Sequence, residues 1–153
     1  MPSETKPFEI LLAEDNQGDA ELVREALKEY QINCSLKVVS DGARAIDLIN
    51  RMDADPSAAS LDLLLLDIRL PRRDGQEVLK CLRSSERHAN TPVIIMTGLS
   101  SNVLDETAIG DDVTWFEKPS TLDEFLHLGY IVRRILEQHI VGVDDRRTCR
   151  GAA

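Results

Sequence analysis

Five short apolar runs recur along the chain, each four to six residues long. Runs such as Leu63–Leu66 and Val93–Met96 do not alternate with polar residues, which is typical of strands that are buried on both faces of a parallel sheet. The pattern therefore predicts five buried strands. The runs are Phe8–Ala13, Leu36–Val39, Leu61–Leu66, Pro92–Met96 and Val113–Phe116.

Amphipathic segments lie between these runs and predict helices. Ala20, Val23 and Leu27 are spaced as on one face of a helix, and the last such segment, Thr121–His139, begins with a capping box. Residues 100–112 favour a helix less strongly, because they include Asn, Thr, Gly and several Asp residues. Strand–helix alternation repeated five times predicts an α/β fold, a doubly wound (βα)5 domain with a five-stranded parallel sheet.

Length and composition narrow the class of protein. The chain has 153 residues and a formal net charge of −9, and this length suits one domain. The acidic excess argues against DNA or an anionic membrane as a partner, because phosphate binding requires clustered Lys and Arg. No run reaches the ~18 apolar residues of a membrane span, and no signal peptide fits the N-terminus. Cys34, Cys81 and Cys149 lack metal-ligand spacing, so we expect reduced thiols in a cytoplasmic protein.

Chemically active side chains follow four of the five predicted strands. Glu14 and Asp15 follow the first and Asp67 the third, while Thr97 and Lys118 follow the fourth and fifth. Because the carboxyl ends of parallel strands meet at one sheet edge, we expect these side chains to converge. Three carboxylates at one edge suit Mg²⁺, and a fixed carboxylate beside it can attack phosphorus. Each residue alone has an ordinary alternative as a helix cap, a turn residue or a surface residue.

Together these residues resemble the receiver domains of two-component response regulators. The matching pattern is the acidic pair Glu14–Asp15, the run from Asp67 through Pro71 to Asp74–Gly75, then Thr97–Gly98 and Lys118–Pro119. The resemblance implies a flavodoxin-like fold and a receiver domain over 7–140, preceded by an N-terminal extension over 1–6. The remaining residues, 141–153, lack an apolar pattern and are expected to form a disordered tail.

The resemblance also implies a role for each site residue. Asp67 is then the phosphoacceptor, and Glu14, Asp15, Asp67 and the main-chain carbonyl of Arg69 hold Mg²⁺. The protein is then not an enzyme but a phosphoacceptor that assists its own phosphorylation and dephosphorylation.

Four further positions follow from the same resemblance. Thr97 is expected to be the switch hydroxyl and Lys118 the ion-pair partner of the phosphoryl group. Trp115 stands where the family has a switching aromatic residue, usually Tyr or Phe, and could equally be a half-buried anchor. Pro119 is expected to follow a cis peptide bond that aims Lys118 into the site.

The segment from Glu14 to Glu29 and the extended loop Asp53–Ser60 resemble stand-alone regulators that are paired with phytochromes. This implies a histidine kinase as partner, of the bacteriophytochrome type. Only about a dozen residues follow the last predicted helix, too few for a helix-turn-helix module, so we expect output through protein contacts.

Two alternative functions fit the sequence less well. A haloacid-dehalogenase-type phosphatase needs a second Asp where Arg69 stands, and a pseudo-receiver would act unphosphorylated although every chemical position is filled.

The last predicted helix carries two apolar stripes. One is expected to face the sheet and contains Leu122, Phe125, Leu126, Val132, Leu136 and Ile140. Leu128, Ile131 and Ile135 form the second. Because one stripe suffices to cover a sheet, the second predicts a homodimer interface. The alternative is that a neighbouring helix shields it.

Overall fold

The computed structural model describes residues 6–70, 72, 74–98 and 113–152. Within them lie five strands and four helices, and the predicted helix at 100–112 falls outside the described residues. The strands are β1 (Phe8–Ala13), β2 (Cys34–Val39), β3 (Leu63–Asp67), β4 (Val93–Thr97) and β5 (Thr114–Glu117). The helices are α1 (Gln17–Glu29), α2 (Gly42–Ala54), α3 (Gly75–Ser84) and α4 (Leu122–Ala152).

All strand pairs are parallel and the sheet order is β2-β1-β3-β4-β5. The predicted α/β class and five-stranded parallel sheet are therefore confirmed. From β1 the chain continues into β2, which lies next to β1 at one edge of the sheet, and then into β3, which lies next to β1 in the opposite direction. The topological switch point therefore lies between β1 and β3. Ligands of such sheets bind at the carboxyl ends of the strands beside this point.

Each face of the sheet has its own core. Leu64, Leu66 and Ile95 point to the face covered by α2 and α3, whereas Leu63, Leu65 and their neighbours point to the face covered by α1 and α4. Every residue of β3 and β4 is buried. This explains why these two segments lack polar alternation, since side chains on both faces leave water.

The second apolar stripe of α4 faces the protein, which corrects part of the predicted dimer interface. Leu128 is fully buried in the core between α1 and the sheet, and Ile131 and Ile135 are half-buried against it. The second stripe is buried because α4 contacts both the sheet and α1, so the helix needs an apolar arc wider than one stripe. Leu122, predicted for the core, is instead 53% exposed.

Gly129 shows how closely α1 and α4 approach each other. A Cβ at this position would collide with the carbonyl oxygen of Ala26 and lie 2.5 Å from Cδ2 of Tyr30. Only glycine leaves room for the backbone of α1 at this crossing.

Beyond the predicted helix end at His139, α4 continues to Ala152. The backbone of 141–152 is thus helical where a disordered tail was predicted. The sequence from 120 onward contains no proline, so no residue in it forces the helix to end. Among the described residues, no helix combines the length and apolarity needed to cross a membrane.

A buried histidine joins three segments near the amino end of β3. His88 is fully buried, and its Nε2 accepts a hydrogen bond from the Leu61 N–H at 3.1 Å. The proton therefore sits on Nδ1, which faces Asp53 Oδ1 at 3.1 Å. Ser85 Oγ donates to the same Asp53 oxygen at 2.6 Å. Ser85 Oγ also lies 3.3 Å from His88 Nδ1. Because Ser85 and Asp53 contact the same ring nitrogen, the group is a structural network and not a nucleophile activated by a base.

Candidate functional site

Two buried carboxylates lie side by side at the switch point. Ala13 pairs with Leu66 in the sheet register, so the next residues, Glu14 and Asp67, are neighbours across β1 and β3. Glu14 is 2% exposed and Asp67 7%. One carboxylate oxygen from each of Glu14, Asp15 and Asp67 lies within 4.8 Å of the others. The predicted convergence of these three residues is therefore observed.

None of these carboxylates caps the helix that follows it. The N-cap of α1 is Asn16 and that of α3 is Asp74. Instead, Glu14 Oε1 accepts the N–H of Asn16 at 3.1 Å, and Asp67 Oδ1 accepts the N–H of Arg69 at 2.9 Å. One oxygen of each carboxylate is thereby fixed by the main chain, and the second oxygen is available to the pocket.

Lys118 fills the centre of this acidic pocket. Its backbone N–H donates to the Thr97 carbonyl at 2.7 Å, which anchors the residue beside the end of β4. Its Nζ lies 2.8 Å from Glu14 Oε2 and 3.1 Å from Asp67 Oδ2. A third carboxylate, Asp19 Oδ2, lies 2.9 Å away. Lys118 therefore links the ends of β1, β3 and β5 with the first turn of α1.

Asp19 is the member of the site that sequence reasoning missed. It stands three residues after the N-cap Asn16, whose side chain accepts the Asp19 N–H at 3.0 Å. An acidic residue in a first helical turn is common because it complements the helix dipole, so it carried no special signal. The signal present in the sequence was its position in the first turn of α1, which brings the Asp19 side chain toward the sheet edge that carries Glu14.

The electrostatics of the pocket call for more positive charge than Lys118 provides. Burial raises the pKa of Glu14 from 4.5 to about 7, and the charge of Asp67 adds to this, while the hydrogen bond from Lys118 opposes it. Burial would lower the pKa of Lys118, but hydrogen bonds to Glu14 and Asp19 and the charge of Asp67 raise it above its ordinary range. The lysine thus stays protonated. A pocket with more carboxylates than ammonium groups fits a hard divalent cation with oxygen ligands.

The remaining predicted site residues surround this pocket at different depths. Thr97 ends β4 and is buried, 7% exposed, one strand away from Asp67. Trp115 is half-buried in β5 and packs against the core on the α2–α3 face. Arg69 is exposed beside Asp67. The roles assigned to these side chains and to the Arg69 carbonyl stay predictions.

The prediction of a cis bond before Pro119 is wrong. The described residues contain no cis peptide bond, so the Lys118–Pro119 bond is trans. For a bond to proline the trans form is favoured by about 0.5–1 kcal/mol unless local contacts reverse the balance. Here Lys118 reaches Glu14 and Asp67 with the trans isomer.

Known proteins are similar to this chain in sequence and in fold. The family model "Response regulator receiver domain" matches residues 10–128. The response regulator Rcp1 of Synechocystis sp. is 34% identical over 98 residues, which are 63% of this chain and 67% of that protein.

Two solved structures show the same architecture. The phosphorylated cyanobacterial phytochrome response regulator RcpA superposes with a TM-score of 0.73 at 26% identity, covering 86% of this chain and 94% of that one. The Mn²⁺-bound form of Rcp1 superposes with a TM-score of 0.68 at 29% identity, covering 80% and 89%. Since the family model spans most of the sequence, this chain belongs to the response regulator receiver domain family.

Proposed function

We propose that the protein is a response regulator whose Asp67 accepts a phosphoryl group from the phosphohistidine of a histidine kinase. The main support for this proposal is that the Asp67 carboxylate is buried at the switch point, with the Lys118 ammonium 3.1 Å from its Oδ2. In the transfer, the bond between phosphorus and the histidine nitrogen breaks and its electron pair stays on that nitrogen. A bond from an Asp67 oxygen to phosphorus forms, and the carboxylate becomes an acyl phosphate.

Glu14, Asp15, Asp67 and the main-chain carbonyl of Arg69 are the proposed Mg²⁺ ligands. The convergence of three carboxylates supports this assignment. Burial and the charge of Asp67 raise the pKa of Glu14, so a further positive charge beside it would favour its ionised form. The related Rcp1 has been solved with Mn²⁺. When bound, the ion supplies charge neutralisation for the oxygens of the transferring group.

Two further side chains are proposed to respond to the phosphoryl group. Lys118 already contacts Asp67 and pairs with a phosphoryl oxygen after a small displacement. Thr97, at the end of the neighbouring strand, donates its hydroxyl hydrogen. Trp115 lies three residues before Lys118 on β5 and reports or transmits the change. Such contacts shift an existing equilibrium between two conformations.

The proposed partners are proteins. Similarity to a phytochrome response regulator supports a histidine kinase of the bacteriophytochrome type. We further propose a cytoplasmic location, output through protein contacts rather than nucleic acid or membrane, and no catalytic turnover on an external substrate. A homodimer through α4 stays a proposal, now without Leu128. Ile131 and Ile135 keep partial exposure, and sedimentation with and without a phosphoryl mimic tests their contribution.

A labelling experiment tests the assignment of Asp67. The wild type, Asp67→Asn and the control Asp47→Asn, which changes an exposed residue on α2, are incubated with acetyl phosphate and Mg²⁺. We expect one phosphoryl group per chain by intact-mass spectrometry in the wild type and in the control, and none in Asp67→Asn. Equal Mg²⁺-dependent labelling of all three proteins would reject the assignment.

A further inference from the structure

Asp19 holds Lys118 from outside the group of carboxylates that can bind a metal. Its Oδ2 lies 2.9 Å from Lys118 Nζ, as close as the oxygen of Glu14. The converging carboxylates are Glu14, Asp15 and Asp67, and Asp19 is not among them. The ammonium group thus lies between two proposed metal ligands and one residue that is not a ligand.

This division matters once the pocket is loaded with a divalent cation. Glu14 and Asp67 then share their negative charge with the ion, and the ion repels the ammonium group of Lys118. Asp19 keeps its full charge for the lysine. Its side chain is 27% exposed, so part of it stays in contact with water. Asp19 is also fixed in place, because its N–H donates to the cap Asn16.

We infer that Asp19 is a positioning residue that keeps Lys118 at Asp67 when the pocket holds a divalent cation and a phosphoryl group. This inference rests on the proposed phosphoacceptor function. Asp19 acts through the lysine and touches neither the phosphoryl group nor the cation. Its contribution therefore disappears when Lys118 is absent.

The test is a double-mutant cycle of Asp19→Asn and Lys118→Met. The asparagine keeps the size of the side chain and the backbone N–H that binds the cap. Glu21→Gln is the matched control, because it removes one charge from the same helix at a side chain that is 71% exposed. Equal unfolding midpoints of Asp19→Asn and the control establish that both fold.

Two quantities are measured in saturating Mg²⁺. The first is the affinity for beryllofluoride, followed by the fluorescence of Trp115, the single tryptophan of the chain. The second is the labelling rate with acetyl phosphate, followed by mass spectrometry, which also reads slow variants. Loss of one charge-assisted hydrogen bond weakens such binding by about tenfold. We expect this loss for Asp19→Asn and a change below about twofold for Glu21→Gln.

The cycle distinguishes an effect of Asp19 that acts through Lys118 from a general effect of its charge. In the Lys118→Met background, Asp19→Asn should change the labelling rate by less than about twofold. An equal loss in both backgrounds, or wild-type behaviour of Asp19→Asn, would overturn the inference. If the wild type itself takes up no phosphoryl group, the proposed function fails. If the wild type is labelled normally and Asp19→Asn is labelled equally well, only the positioning role of Asp19 is rejected.

Discussion

Replacing the buried carboxylate of Glu14 by the amide of glutamine should stabilise the metal-free protein at alkaline pH. The native pKa of Glu14 is about 7 against an ordinary value of 4.5. Each pKa unit corresponds to about 1.4 kcal/mol, so ionising Glu14 in the folded state costs about 3 kcal/mol. Because the side chain is almost fully buried, solvent does not screen this cost.

The sign of the pH dependence follows from the raised pKa. Folded protein binds the Glu14 proton more tightly than unfolded protein, so the stability from protonation is complete below pH 4.5. It is lost as the pH rises toward 7. Wild type and Glu14→Gln should therefore be similarly stable near pH 4.5, and the variant should be more stable by about 3 kcal/mol near pH 8.

Urea unfolding in EDTA, measured from about pH 5 to about pH 8, checks this expectation. Glu25→Gln, an exposed position on α1, is the control and should follow the wild type. Excess Mg²⁺ should narrow or reverse the difference, because binding at 100 times the dissociation constant adds about 2.7 kcal/mol to the protein that binds it. Parallel stability curves of wild type and Glu14→Gln in EDTA would refute the reasoning.

Three further predictions concern packing and are all read from urea unfolding. Gly129→Ala should lower the free energy of unfolding by about 1–3 kcal/mol, although alanine is favoured over glycine in a helix by about 1 kcal/mol. A more stable variant would contradict the close approach of α1 and α4. His88→Leu should cost about 1–3 kcal/mol, because it leaves buried polar partners unpaired, while the exposed control His127→Ala should change little. Leu128→Ala should cost about 2–5 kcal/mol without changing the sedimentation of the folded protein, and a change in oligomeric state with little destabilisation would return Leu128 to an interface.

The sequence was sufficient to predict the sheet and much of the site. Buried parallel strands need continuous apolar runs, and these are easily recognised in the regions of β3 and β4. Parallel order then forces the carboxyl ends of the strands together, which placed Glu14, Asp67 and Lys118 in one pocket without any coordinates. The predicted carboxyl ends of the strands lie within one residue of the observed ends, and the predicted starts lie within two.

Three features could not be predicted for different physical reasons. Asp19 sits where acidic residues are ordinary, and only the reach of Lys118 distinguishes it. The burial of Leu128 depends on how α1 packs against α4, which periodicity along one helix does not contain. The isomer before Pro119 depends on an energy difference of about 0.5–1 kcal/mol, smaller than the sum of local contacts that decides it.

The contact at Gly129 has a consequence for exchanging parts between related regulators. The backbones of α1 and α4 touch there, so each helix fits only a partner with the matching small residue at the crossing. Asp19 lies on α1, whereas Lys118 follows β5 and precedes α4 by four residues. A chimera that exchanges α1 alone would therefore change the packing at Gly129 and the ion pair together. Grafts between related regulators should move α1 together with α4 and the segment that carries Lys118.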